Sequence, residues 1–268
     1  MKNLKKLLAV VCALALMLTF VGCGSNGMTV EDGKLIMATN AAFPPYEFVE
    51  NGEYAGIDVE IAGLIAEELG LELEIADIDF GAIVDGVQSG KYDMGVAGMT
   101  VTEDRLKSVN FTTSYAKGIQ SVIVKADSGY TSYEDFYTGF NADGNPAGVK
   151  EGIKIGVQQD TTGDIYASST AAEWGFEDAN VTRYKTGNEA VMALSEGKVT
   201  AVIIDNEPAK AFVAANEGLK ILEGSYTDED YAIAIAKDNE ELLEKVNAAL
   251  EKLIKDGKVK EIVDKYIK

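Results

Sequence analysis

Ala97-Gly98-Met99-Thr100-Val101-Thr102-Glu103-Asp104-Arg105 follows an alternating apolar run, Tyr92-Asp93-Met94-Gly95-Val96-Ala97. That run reads as a buried strand arriving at its carboxyl end. Gly98 then allows a ligand to approach the main chain closely. Thr100 and Thr102 are each candidate N-caps, and Thr100 with Glu103 fits the capping-box spacing. Arg105 comes one helical turn later. The stretch therefore offers backbone N–H groups, a hydroxyl, the positive end of a helix and a guanidinium. Such a set suits a small carboxylate, held by an arginine fork through two parallel charge-assisted hydrogen bonds. It also suits an ordinary capped helix with a solvated arginine, and taken alone it leaves both readings open.

Upstream, Leu35-Ile36-Met37-Ala38-Thr39 is a first strand that runs into Asn40-Ala41-Ala42-Phe43-Pro44-Pro45-Tyr46-Glu47-Phe48. The paired prolines fix an irregular loop just past the strand's carboxyl end, where ligands sit in open α/β sheets. Phe43 on this loop either covers a ligand or plugs the core. Gly56-Ile57-Asp58-Val59-Glu60 opens a helix with Ile57, Ile61, Leu64, Ile65 and Leu69 on one face, stopped by Gly70. Leu71, Leu73 and Ile75 alternate with glutamates as a second strand. Asp79-Phe80-Gly81 starts another helix, with Ile83, Val84 and Val87 inward and Gly90 at its end. The order β-α-β-α-β predicts a parallel sheet.

Downstream, a crossing to a second region is expected near Ile119 to Val124. Thr131 to Gly152 is rich in Gly, Asn, Asp and Tyr, and reads as an exposed insertion with a short helix near Glu134 to Tyr137. Ile153 to Val157 is a strand leading into Gln158-Gln159-Asp160-Thr161-Thr162-Gly163-Asp164 and a helix reaching about Trp174. Thr161-Thr162-Gly163 offers a second nest of backbone donors. Ser89 to Val96 is echoed by Ser195 to Val202, whose strand delivers Asp205-Asn206-Glu207-Pro208. Pro208 suits a first helical turn. Asp205 either caps that helix or meets a ligand ammonium. Tyr231 to Ala236 is a buried strand expected to return the chain to the first region. The tail carries Leu242, Leu243, Val246, Leu250, Leu253 and Ile254 on one helix and Val259, Ile262, Val263, Tyr266 and Ile267 on another, with a break at Asp256-Gly257.

The 268 residues hold 24 Lys+Arg against 44 Asp+Glu, a net charge of -20, and no histidine. So acidic a chain has no electrostatic footprint for nucleic acid. Without histidine there is no Ser-His triad and no histidine-bearing zinc site; no cofactor or metal is expected. Lys2, Lys5 and Lys6 precede an apolar run from Leu7 to Val21, too short for a typical spanning helix. Phe20-Val21-Gly22-Cys23 resembles a lipobox, with Phe20 where leucine is more usual. Cys12 would leave with the leader and Cys23 would carry lipid, so the folded part would hold neither a disulfide nor a thiol nucleophile.

Taken in order, the Phe43 loop, the 97–105 stretch, the Thr161-Thr162 turn, Asp205 and the helix-Gly-helix tail resemble the polar amino-acid solute-binding proteins of ABC transporters. The resemblance implies an α/β, two-lobed periplasmic-binding-protein-like (type II) fold. Each lobe would be a mainly parallel sheet flanked by helices, with two hinge strands between them. It divides the chain into a lipoprotein leader (1–22), a lipidated tether (23–33), lobe 1 (34–119 and 229–268) and lobe 2 (120–228). It implies capture of a free amino acid between the lobes and delivery to the permease subunits of an importer. The protein would be a monomer on the outer face of the bacterial cytoplasmic membrane, held there through lipid only. Carried over by position, Arg105 would hold the ligand carboxylate, helped by the main chain of Gly98 and Thr100 and the Thr100 hydroxyl. Thr162 would add a donor from the other lobe, Asp205 would accept the ammonium, and Phe43 and Phe80 would flank the side chain. Two departures concern specificity. Asp160 stands where the family commonly has glycine, and Asn40 where some binders of basic amino acids have an acid. With Gln158 and Glu47 these favour a polar ligand, a basic one slightly ahead. The competing readings are a dehydratase-like enzyme on the same scaffold, which would need a general acid and base in the cleft, and a ligand-sensing module.

Overall fold

The computed structural model describes residues 27–224 and 227–267; the leader, the lipobox, Cys12 and Cys23 lie outside the described residues. In chain order the strands are β1 (Lys34–Thr39), β2 (Ala42–Phe43), β3 (Glu47–Glu50), β4 (Glu53–Ala55) and β5 (Glu72–Asp77). Next come β6 (Met94–Gly95), β7 (Val109–Phe111), β8 (Ala116–Lys125), β9 (Ile155–Gln158) and β10 (Val181–Tyr184). The last are β11 (Ala201–Asp205), β12 (Leu219–Ile221), β13 (Asp228–Tyr231) and β14 (Ala234–Ala236).

They build two large sheets, one to a lobe. The first runs β5-β1-β6-β14-β7, with β1 parallel to β5 and β6, and β14 antiparallel to β6 and β7. The second runs β10-β9-β11-β8-β12, with β9 parallel to its neighbours and β8 antiparallel to β11 and β12. The loop with the paired prolines becomes part of a small meander, β2-β3-β4.

The apolar periodicity explains how the first sheet is covered. The helix Ile57–Leu69 buries Ile57, Ile61 and Ile65 fully and ends on Gly70 in the left-handed region. These side chains pack in one core with Leu35 and Met37 of β1 and with Leu242, Val246 and Leu250 of the tail helix Glu240–Lys255. Each such burial is worth about 1.5–3 kcal/mol, so the C-terminal helices are part of the first lobe's core.

Two strands cross between the lobes. β8 leaves the first lobe and becomes a member of the second sheet, and β13 lies antiparallel beside its first half, with Glu229 opposite Gly118. A Cβ on Gly118 would lie 2.5 Å from the Tyr231 ring, so the close approach of these strands requires glycine there.

Three elements differ from expectation. The run Tyr92–Ala97 is buried throughout, but it pairs only over Met94–Gly95. The helix beginning at Thr162 stops at Ser168 rather than near Trp174. Ser169 is extended, and Thr170 with Glu173 caps a separate turn, Ala171–Glu173, that leaves Trp174 left-handed. The 231–236 segment is divided: Tyr231 ends β13 and Ala234 begins β14, because the chain changes partner from β8 to β6 and β7. The insertion holds one turn, Tyr133–Phe136, capped by Ser132 and Asp135. Its Phe136 packs on Tyr130 and Phe176, with ring centroids 4.7 and 5.8 Å away.

Candidate functional site

The carboxyl ends of β1, β9 and β11 and the loop after β6 converge on a narrow cavity between the lobes. Phe43, Phe80, Gly98, Thr100, Arg105, Gln158, Thr162 and Asp205 all line it, together with Asn40, Glu47, Ala97 and Thr161. Phe43 serves both readings the sequence left open, since it is buried in the first lobe's core and also walls the cavity.

Arg105 opens a helix of four residues, Arg105–Ser108, and its N–H is accepted by Thr102 Oγ1 at 3.2 Å. Thr102, not Thr100, therefore meets the helix start, and the expected capping box at Thr100 does not form. So short a helix supplies little macrodipole. The guanidinium itself carries the positive charge here. Nη1 donates to the Thr100 carbonyl at 2.7 Å and Nη2 to the Asp160 carbonyl, on the opposite lobe, at 3.1 Å. Its carbon sits 5.2 Å from the Phe80 ring centroid, a cation–π distance. Burial pulls its pKa down, opposed by the charges of Glu229 and Asp205.

Thr100 lies opposite Tyr231 in an antiparallel bridge closed by Val101 N–H to the Asp230 carbonyl and Ala232 N–H to the Met99 carbonyl, and its hydroxyl donates to Glu229 Oε2 at 3.0 Å. Gly98 has φ +50, and a Cβ there would lie 3.0 Å from the Phe43 ring. Its N–H donates to Asp58 Oδ2 at 2.7 Å. The Gly98 N–H and the Thr100 hydroxyl are thus committed within the protein, and Arg105 is left as the principal cationic group on the wall.

From the second lobe, Thr162 begins its helix behind Thr161, whose Oγ1 accepts from Asp164 N. Asp205 occupies the N-cap position of the helix Asn206–Ala215 but makes no side-chain cap; its carboxylate accepts from the Tyr231 hydroxyl. Burial raises the Asp205 pKa and Glu229's charge raises it further, opposed by the hydrogen bond from Tyr231. Gln158 Nε2 donates to Asn40 Oδ1 at 2.9 Å. At the mouth, Lys185 reaches Asp79 across the lobes at 3.0 Å. Asp160 is left-handed at φ 64, and its exposed side chain lies over Gly81, outside the cavity wall.

Glu47, 1% exposed, lies against a second buried carboxyl, Asp58. Burial raises the Glu47 pKa well above the carboxylate range, and the neighbouring Asp58 charge adds to this. Asp58 is pushed up to about 6 by burial, opposed by the Gly98 N–H and the Tyr115 and Glu47 hydrogen bonds.

Sequence reasoning missed Asp58, Glu229 and Tyr231. Asp58 had a signal, because it shares the buried helix face with Ile61, Ala62 and Ile65. Glu229 had almost none, being the middle of three acids of which only it turns inward.

Residues 35–268 match the family model for bacterial extracellular solute-binding proteins, family 3. The arginine-binding extracellular protein ArtP of Bacillus subtilis (strain 168) is 29% identical over 268 residues, covering 98% of each chain. The glutamine-binding protein GlnH of the same organism is 30% identical over 81% of this chain and 74% of its own. Among solved structures, an ancestral arginine-binding protein bound to arginine superposes with a TM-score of 0.76 at 38% identity, covering 88% of this chain and 99% of the other.

Proposed function

The chain belongs to the bacterial extracellular solute-binding proteins of family 3, and from that premise we propose that it captures one free amino acid with a cationic side chain for delivery to an ABC permease. The family is one of binding proteins rather than enzymes, which leaves the dehydratase reading without support.

The observation that carries the ligand class is the charge on the cavity wall. Arg105 contributes one positive charge, while Asp205 and Glu47 contribute two carboxyl groups. A neutral zwitterion would match Arg105 with its carboxylate and Asp205 with its ammonium, leaving Glu47 in the protonated form that burial and Asp58 favour. A ligand with one further positive charge favours the ionised form of Glu47 and pairs with it, so the second carboxyl group of the wall is used as well. Arg105 takes the carboxylate, with Thr162 as second donor. Phe43 and Phe80 enclose the aliphatic stem, and Gln158 and Asn40 add polar contacts. That ArtP is an arginine-binding protein agrees with this class.

In this reading the lobes comprise residues 34–119 with 229–268, and 120–228, and turn about β8 and β13. Arg105 and Asp205 stand on different lobes, so a ligand held by both favours the closed arrangement, which the permease engages. Cys23 carries the lipid that keeps the protein, as a monomer, at the outer face of the membrane.

The test is a thermal-shift screen of the chain from residue 24 onward, unfolded and refolded beforehand to strip bound solute. L-arginine, L-lysine, L-ornithine and L-histidine are compared with L-glutamine and L-glutamate. A ligand at 100 times its Kd adds about 2.7 kcal/mol. Stabilisation by the basic amino acids supports the proposal. Stabilisation by glutamine alone overturns the cationic class, and no response to any amino acid overturns the site.

A further inference from the structure

Two donors converge on Oε2 of Glu229, a buried carboxylate on the crossing strand β13. They are Thr100 Oγ1 at 3.0 Å and Gln120 Nε2 at 3.1 Å. The same Gln120 nitrogen donates to Thr162 Oγ1 at 3.3 Å. Gln120 is fully buried on β8 and sits directly across from Asp205 of β11. Glu229 and Gln120 both lie on the strands that cross between the lobes, and their partners Thr100 and Thr162 both line the cavity, one from each lobe.

We propose that Glu229 and Gln120 form a positioning relay that sets which cavity hydroxyl gives a hydrogen and which receives one. An ionised carboxylate only accepts. It therefore fixes the Gln120 amide with its NH2 toward Glu229, and the second N–H of that group is the one that meets Thr162. Thr162 Oγ1, accepting from Gln120, keeps its own hydrogen to donate into the cavity. Thr100 is set the opposite way: its hydrogen is spent on Glu229, and only oxygen lone pairs remain for the ligand. Thr162 is thereby a donor for the ligand carboxylate and Thr100 an acceptor for its ammonium. Reversing the amide would set its oxygen against the Glu229 carboxylate, and an unmade buried hydrogen bond is more costly than a made one is favourable.

This inference rests on the amino-acid reading of the cleft, but it concerns only the ligand's α-groups. L-arginine and L-glutamine therefore serve equally as probes. The experiment is a double-mutant cycle in ligand affinity by calorimetry, with Gln120→Met and Thr162→Val. Each single variant is expected to weaken binding about tenfold. On the Thr162→Val background, Gln120→Met should cost less than threefold more, because the contact through which it acts is already gone. Thr162→Ser, which keeps the hydroxyl, should stay within threefold of wild type. If Gln120→Met fails to fold, the near-isosteric Glu229→Gln replaces it. Any general effect of its lost charge cancels in the cycle, and the same non-additivity is expected. Losses that simply multiply overturn the relay while leaving the binding function intact. If neither probe binds the wild type, the site reading and the relay fall together.

Discussion

Asn40, at the end of β1, and Gln158, at the end of β9, stand on opposite lobes and are joined by a 2.9 Å hydrogen bond inside the cavity. Beside them, Arg105 reaches the Asp160 carbonyl at 3.1 Å. The walls of the site are thus in contact with each other, and part of what a ligand gains on entering is set by how readily those contacts form. Gln158→Ala removes the amide link. A buried hydrogen bond contributes roughly 0.5–1.5 kcal/mol, so ligand affinity should fall about three- to tenfold while the melting temperature of the unliganded protein changes little. Calorimetric titration checks this, and unchanged affinity would mean that the bond does not bias closure.

Arg105 should be irreplaceable by lysine. Its two nitrogens are held by the Thr100 and Asp160 carbonyls and its plane lies near the Phe80 ring. A lysine ammonium lacks that planar fork. Arg105→Lys is expected to weaken amino-acid binding about 100-fold and Arg105→Ala further, with far-UV circular dichroism unchanged. Binding by Arg105→Ala within tenfold of wild type would remove this residue from the site.

The buried carboxyls make stability depend on pH in a direction opposite to ordinary acid denaturation. Asp58 is raised in the folded state to about 6, chiefly by burial, above an unfolded value of about 4. The folded form therefore binds the proton more tightly. The stabilisation is fully present below pH about 4 and is lost as pH rises through about 6, amounting to about 3 kcal/mol at most. Unliganded protein should melt at a higher temperature at pH 5 than at pH 8, and Asp58→Asn should flatten that difference. A melting temperature that rises from pH 5 to pH 8 would contradict the assignment.

Gly118 is expected to tolerate no side chain. A Cβ would lie 2.5 Å from the Tyr231 ring, whose hydroxyl holds Asp205. Gly118→Ala should cost about 1–3 kcal/mol by overpacking and weaken ligand binding through the displaced Tyr231–Asp205 pair. Denaturant melts and titrations read the two effects separately. A variant with wild-type stability would show that the crossing strands can separate freely.

Periodicity made the frame of the molecule legible. The Ile57–Leu69 and Glu240–Lys255 helices, their glycine stops and the strands feeding the cavity all follow from apolar spacing and local turn chemistry. The eight cavity positions were legible chiefly through the family resemblance, although Gln158 and Asp205 also lie at strand ends, where a polar residue stands out against an apolar run. What could not be read was the second layer. Thr100 looked like a cap because Glu103 stood three residues on, and only the approach of β13 shows that its hydroxyl belongs to Glu229. Asp205 resembled a cap for the same local reason, but Tyr231, 26 residues away, takes its carboxylate. Such partners are set by how β8 and β13 pass each other, which no window of local sequence contains.

The aromatic cluster of the insertion bears on how this protein can be watched. Trp174 is the chain's single tryptophan. It lies against Tyr137 and Phe140, with ring centroids 6.0 and 5.8 Å away, and none of the three lines the cavity. Its emission is therefore a gauge of the insertion seated on the second lobe. A flat tryptophan signal during an amino-acid titration says nothing about binding, whereas the same signal during denaturation follows the melting of that lobe.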